Sequence, residues 1–216
     1  MTKNKIPFDD HSWDQLPAIF DHLPNPIRLH LWCDENGTKD EIEAHRLVAL
    51  LGENFKTIDY KIYPRRINYN FYPVFGVMGL KDQRPVDYGI RIIGLPVGYQ
   101  MTSLITAIQS AAFQGMTSEA MSRIQLAQLN EPISLELITN ADDEIGPLTA
   151  QIIFNFAVIS PFLKSYLIMG DAFQEAYTRY SVNYLPHLVI NERYHSEGPI
   201  SEAELLKEIA RFLKNE

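Results

Sequence analysis

The residues able to do chemistry in this chain of 216 amino acids are few and scattered. Cys33 is the single thiol. It could act as a monothiol nucleophile, yet it alternates with Ile27, Leu29 and Leu31 in an apolar run. Reactive thiols need an electropositive, partly exposed setting, so the pattern favours an inert, mostly buried side chain. Asp142, Asp143 and Glu144 stand together before an uncharged stretch. They could bind a metal or a cationic ligand, with His187 contributing. The favoured reading is helix capping, worth about 0.3–1 kcal/mol for each carboxylate. The six histidines show no metal-site spacing, and no phosphate-loop, dinucleotide or serine-nucleophile motif occurs. No metal and no cofactor is expected.

Composition narrows the classes further. A hydrophobic fraction of 46% with 21% charged residues is that of a water-soluble globular chain. A net charge of -8 argues against nucleic acid and anionic membranes as partners. One cysteine rules out an internal disulfide framework. Met1 to Lys5 reads as a frayed end, Met1 to Asp10 carries charges without the apolar core of a signal peptide, and the cytoplasm is the expected location.

The elements that must position these groups follow from periodicity. Ser12 is read as the cap of a helix through Phe20, ended by Leu23-Pro24-Asn25-Pro26. A strand at Ile27 to Cys33, a helix from Asp40 and a strand at Thr57 to Tyr63 follow. Arg65, Arg66, Tyr69 and Phe71 read as a solvated loop, with a partner-binding loop as the alternative. A proline-headed strand at Tyr72 to Val77, its hairpin partner at Tyr88 to Ile93 and a helix after Gly94 to Gly98 complete the first half.

A helix from Thr117 opens the second half, and the pattern then recurs. Pro132-Ile133-Ser134-Leu135-Glu136-Leu137 answers Pro26-Ile27-Arg28-Leu29-His30-Leu31, Leu185-Pro186 answers Tyr72-Pro73, and Gly198-Pro199 answers Gly94 to Pro96. Ser201 and Glu204 form a capping box for the last helix. Such a repeat implies two copies of one domain. The expected division is a helical extension over residues 1–25, one domain over 26–115 and a second over 116–216. The uncharged helix Pro147 to Ile159 has more apolar positions than one buried face requires. The surplus could pack across the domain boundary or in a homodimer.

The order strand, helix, strand, then proline-headed strand, strand and helix resembles the thioredoxin fold. The fold class is therefore α/β, two tandem thioredoxin-like domains, each a central mixed sheet flanked by helices. Asn25 to Leu29, Arg91 to Gly98 and Ala176 to Ile190 carry a wider resemblance to the tandem, glutaredoxin-like protein disulfide oxidoreductases. They are also similar to the N-terminal tandem domain of the alkyl hydroperoxide reductase flavoprotein. The resemblance implies cis peptide bonds at Tyr72-Pro73 and Leu185-Pro186, and dithiol motifs at Thr38 to Glu41 and at Asp143-Glu144-Ile145-Gly146. Neither motif has a cysteine, so dithiol exchange does not transfer. The implied function is a redox-silent module, scaffold or chaperone-like, that binds a protein or extended peptide. Tyr72, Pro73, Leu185, Pro186 and His187 would form its binding edge. Monothiol chemistry at Cys33 and a metal-dependent activity at the acidic triplet are the alternatives.

Overall fold

A computed structural model describes residues 10–214; the frayed end expected at Met1 to Lys5 lies outside them. Helix α1 runs Asp10–Phe20, so Ser12 sits inside the helix rather than capping it. Strand β1 (Ile27–Trp32), helix α2 (Lys39–Asn54) and strand β2 (Ile58–Tyr63) form a crossover unit in which β1 and β2 are parallel. Strands β3 (Val74–Lys81) and β4 (Arg84–Ile93) make an antiparallel hairpin. The hairpin is longer than its apolar pattern suggests. Asp82 and Gln83 both adopt positive φ at its tip, the geometry that matches strand twist in a two-residue turn, and the register shifts between Val77 and Met78.

Helix α3 (Gln100–Ala112) and the short helix α4 (Ala120–Leu126) lead to the second half. Helix α4 starts later than Thr117 because the Thr117 hydroxyl is bonded to Asn155 Oδ1 at 3.1 Å, outside the helix. Then come β5 (Ile133–Thr139), α5 (Gly146–Ile159), β6 (Leu163–Met169), α6 (Gln174–Tyr180), β7 (His187–Ile190), β8 (Tyr194–Glu197) and α7 (Glu202–Lys214). Ser201 and Glu204 form the expected capping box. In this half β5 pairs with β6 in parallel and with β7 antiparallel, repeating how β1 pairs with β2 and β3.

The eight strands form one sheet, ordered β2-β1-β3-β4-β6-β5-β7-β8, and the parallel β4–β6 pair joins the halves. One face carries the main core, to which α1, α2, α3, α4, α5 and α7 contribute Phe20, Leu47, Leu104, Leu126, Phe154 and Leu205. Helices α3 and α5 pack against each other across the junction. Of the extra apolar positions of α5, Phe154 and Phe156 are buried within one chain, while Leu148 is exposed. Among the described residues no helix is long and apolar enough to cross a membrane.

The opposite face is covered unevenly. Helix α6 lies over the second half through Ala176 and Tyr180. The first half has no helix between β2 and β3. Instead the segment 64–72 covers it with Tyr69, Phe71 and Tyr72, which pack on Trp32 and Val74. The expectation of a solvated loop holds for the exposed Arg65 and Arg66, but not for Tyr69 and Phe71, which are half-buried against the sheet. An uncovered Trp32 and Val74 would expose a large apolar area, and these aromatic side chains remove it from water.

Candidate functional site

Both strand-to-helix corners where the resemblance implies a dithiol motif are occupied by acids engaged within the fold. At the first, Thr38 caps α2 and Glu41 returns the bond, an N-terminal box satisfied from both sides. Glu41 is fully buried. Its carboxylate also accepts from the Asp34 N–H at 2.9 Å and is clamped by both ends of the Arg65 fork. Burial opposes its charge. Arg65 and the Asp34 and Thr38 amides outweigh that cost and hold its pKa down at about 2.

At the second corner Asp143 does the same work. Its Oδ1 accepts from the Ile145 and Gly146 amides at 3.0 and 2.9 Å, and its Oδ2 accepts from the Thr139 hydroxyl at 2.8 Å. Glu144 turns away to accept from the Tyr99 hydroxyl at 3.0 Å, and Asp142 is exposed. The acidic triplet is thus a cap and its neighbours. His187 does not join it: its Nε2 lies 2.9 Å from His195 Nδ1, and Glu197 lies 3.7 Å from its other nitrogen. Among the described residues no three His, Cys, Asp or Glu side chains are gathered as metal ligands.

Cys33 is 2% exposed within the main core. Burial, followed by the charges of Glu41, Glu35 and Asp34, pushes its pKa up to about 11. The thiolate is the reacting species. At pH 8 the folded protein is therefore expected to react with a thiol reagent roughly a hundredfold more slowly than the urea-unfolded chain. Equal rates in a stopped absorbance assay would refute this.

The peptide bonds Tyr72-Pro73 and Leu185-Pro186 are both cis. In each half the proline carbonyl accepts from a positive-φ glycine, Gly94 or Gly198, at 2.8 Å. The residues just before the prolines are different. Among the described residues, neither the N–H nor the C=O of Tyr72 or Leu185 makes an intramolecular hydrogen bond. Buried backbone groups are almost always paired, so these two edges are left for water or an external strand.

A feature the one-dimensional reading missed is a cleft of about 550 Å³ on the α6 face, between segment 66–71 and α6. Two rows of side chains run across the strands there. Trp32, Val74, Ile93, Ile168 and Ile138 form one, and His30, Gly76, Arg91, Tyr166 and Glu136 the next. Arg91 is largely buried, paired with Asp87 at 2.6 Å and donating to Tyr69 at 2.8 Å. Burial works against its charge, and Asp87 more than offsets that, so its pKa is raised. The same surroundings lower His30 to about 4, through burial and then the Arg28 and Arg91 charges. Glu136 accepts from the Tyr180 hydroxyl. Stacked Phe71 and Phe173, 4.6 Å apart, join the two walls. Part of this was signalled in the strands: Arg91 inside Ile90 to Ile93, and Glu136 between Leu135 and Leu137, are polar residues in apolar runs.

No protein-family model matches the chain. The structure superposes on the N-terminal domain of Enterococcus faecalis alkylhydroperoxide reductase AhpF with a TM-score of 0.84 at 16% identity, covering 93% of this chain and 99% of that one. The chain has the thioredoxin fold. A protein disulfide oxidoreductase from Aeropyrum pernix gives a TM-score of 0.80 at 18% identity, with 93% and 91% covered. In sequence, too, the chain resembles alkyl hydroperoxide reductase AhpF. It is 24% identical to the Escherichia coli protein over 202 residues, which is 93% of this chain and 37% of that protein. The Pseudomonas putida protein is also 24% identical, over 90% of this chain and 36% of its own length. This thioredoxin-fold chain thus spans little more than a third of the curated relatives it matches.

Proposed function

We propose that this chain is a redox-silent thioredoxin-fold module that binds an extended protein segment, as a scaffold or as part of a redox assembly. The observation that carries the reading is the pairing of two facts in each half. The positions for a dithiol hold helix-capping acids, Glu41 and Asp143, that are committed to the fold. The backbone edges at Tyr72 and Leu185 are nonetheless unpaired. An extended segment can add to such an edge through main-chain hydrogen bonds, with no thiol involved. The resemblance to alkyl hydroperoxide reductase AhpF supports the redox-assembly part of the proposal.

The test is affinity capture with the purified chain, followed by mass spectrometry, on wild type, Pro186→Ala and Cys33→Ser. A partner retained by Cys33→Ser and bound at least tenfold less by folded Pro186→Ala is the expected result. A partner held covalently, released by reductant and lost with Cys33→Ser, would make Cys33 the active group and refute the proposal.

A further inference from the structure

The cleft on the α6 face differs from the backbone edges at the two prolines, and its chemistry is of another kind. We propose that it is a binding site for a small organic anion with a planar ring. Its volume of about 550 Å³ lies within the range of small-molecule sites. The stacked Phe71 and Phe173 bridge its walls, and Ile93 and Ile168 contribute an apolar floor.

The sign of the ligand follows from which charges are already used. Two of the three acids of the lining are neutralised by arginines, Asp87 by Arg91 and Glu192 by Arg179, and Glu136 accepts from the Tyr180 hydroxyl and keeps its charge. Two cations of the lining are not neutralised. Among the described residues neither Arg66 nor Lys164 has a carboxylate within salt-bridge distance. Arg66 is also held in place, its guanidinium lying over the Trp32 ring at 5.0 Å and the Tyr63 ring at 5.9 Å. A guanidinium positioned by stacking loses little freedom when it takes a carboxylate or sulfonate. Lys164 lies on β6 two residues before Tyr166, so both face the cleft from one strand. An anionic head between Arg66 and Lys164 would leave its ring against Tyr69 and Tyr166. The chain carries a net charge of -8, whereas the cleft is lined by four cations, Arg66, Arg91, Lys164 and Arg179, against three acids, so its charge runs against the overall field.

The probe is 8-anilinonaphthalene-1-sulfonate, a planar organic anion that brightens in dry aromatic surroundings, titrated into the full chain at low salt. The expected result is saturable one-site binding, displaced by benzoate and not by benzamide. Dissociation constants should rise at least tenfold in Arg66→Gln and at least threefold in Lys164→Gln. Both side chains are exposed, so both variants should keep the wild-type thermal midpoint, and that midpoint is measured alongside. Unchanged affinity in the folded double variant would overturn the proposal. Displacement by benzamide as readily as by benzoate, or by polyglutamate but not benzoate, would overturn it equally.

Discussion

Glu41→Ala is expected to lower folding stability by about 3 kcal/mol at pH 7. The side chain is fully buried and holds four groups at once: the Asp34 and Thr38 amides, the Thr38 hydroxyl and the Arg65 guanidinium. Removing it orphans two backbone donors at a helix start and deletes the capping box. Arg65 itself adds little to the cost, because it is 45% exposed and returns to water. The pH dependence has a definite sign. Glu41 has a pKa of about 2 folded against 4.5 in the free side chain. Its contribution is therefore present in full above about 4.5 and is lost as the pH falls toward 2. Urea denaturation of wild type and Glu41→Ala should show a gap that is constant from pH 7 to 5 and closes between pH 4 and 2. A gap that stayed open at pH 2, or that was absent at pH 7, would contradict this account.

The second large effect concerns Gln100, at the start of α3. Its fully buried amide donates to the carbonyls of Asn140 and Asp143, both at 2.9 Å, while its oxygen accepts from the Ser103 hydroxyl at 2.7 Å. The Tyr99 N–H meets the Ala141 carbonyl at 2.9 Å beside it. One turn of the first half therefore positions the corner of the second half that holds Asp143. Gly98 is required there: its φ is +58°, and a Cβ would collide with the Ala141 carbonyl. Gln100→Leu keeps the volume and removes the amide. It leaves the Asp143 carbonyl and the buried Ser103 hydroxyl without their partner, while the Asn140 carbonyl keeps only the Asp143 N–H at 3.3 Å, at about 2–3 kcal/mol. Hydrogen exchange should quicken at the Ile145 and Gly146 amides, which depend on Asp143 for their bonds. Loss of stability with unchanged exchange at those two amides would mean that Gln100 acts only as a packing residue.

The two corners show why the candidate site was only half legible. The resemblance to the tandem disulfide oxidoreductases places Thr38 to Glu41 and Asp143 to Gly146 as dithiol positions. Their lack of cysteine was equally plain. The Thr-x-x-Glu spacing of a capping box is a local signal too, and it explains the first corner once the positions are read as a helix start. Nothing in the spacing of Glu41 and Arg65 announces their ion pair, because they are brought together only when β2 lies beside β1.

Local patterns by themselves determined β1, the heads of β3 and β7, the start of α7 and the halves' shared order, because each depends on residues a few positions apart, whereas the starts of α1 and α4 are displaced. Period-two alternation marks β1, a capping box marks α7, and prolines mark the heads of β3 and β7. Tertiary structure alone decided that the two halves share one sheet through β4 and β6, and that the first half carries an arginine- and tyrosine-rich segment where the second carries α6. It alone set Arg66 on Trp32 and Arg91 beside Tyr166. The physical reason is that an edge strand's partner and a sheet's uncovered face are settled by long-range packing. Charge and apolar area there are balanced among residues tens of positions apart, where local periodicity carries no record of the contact.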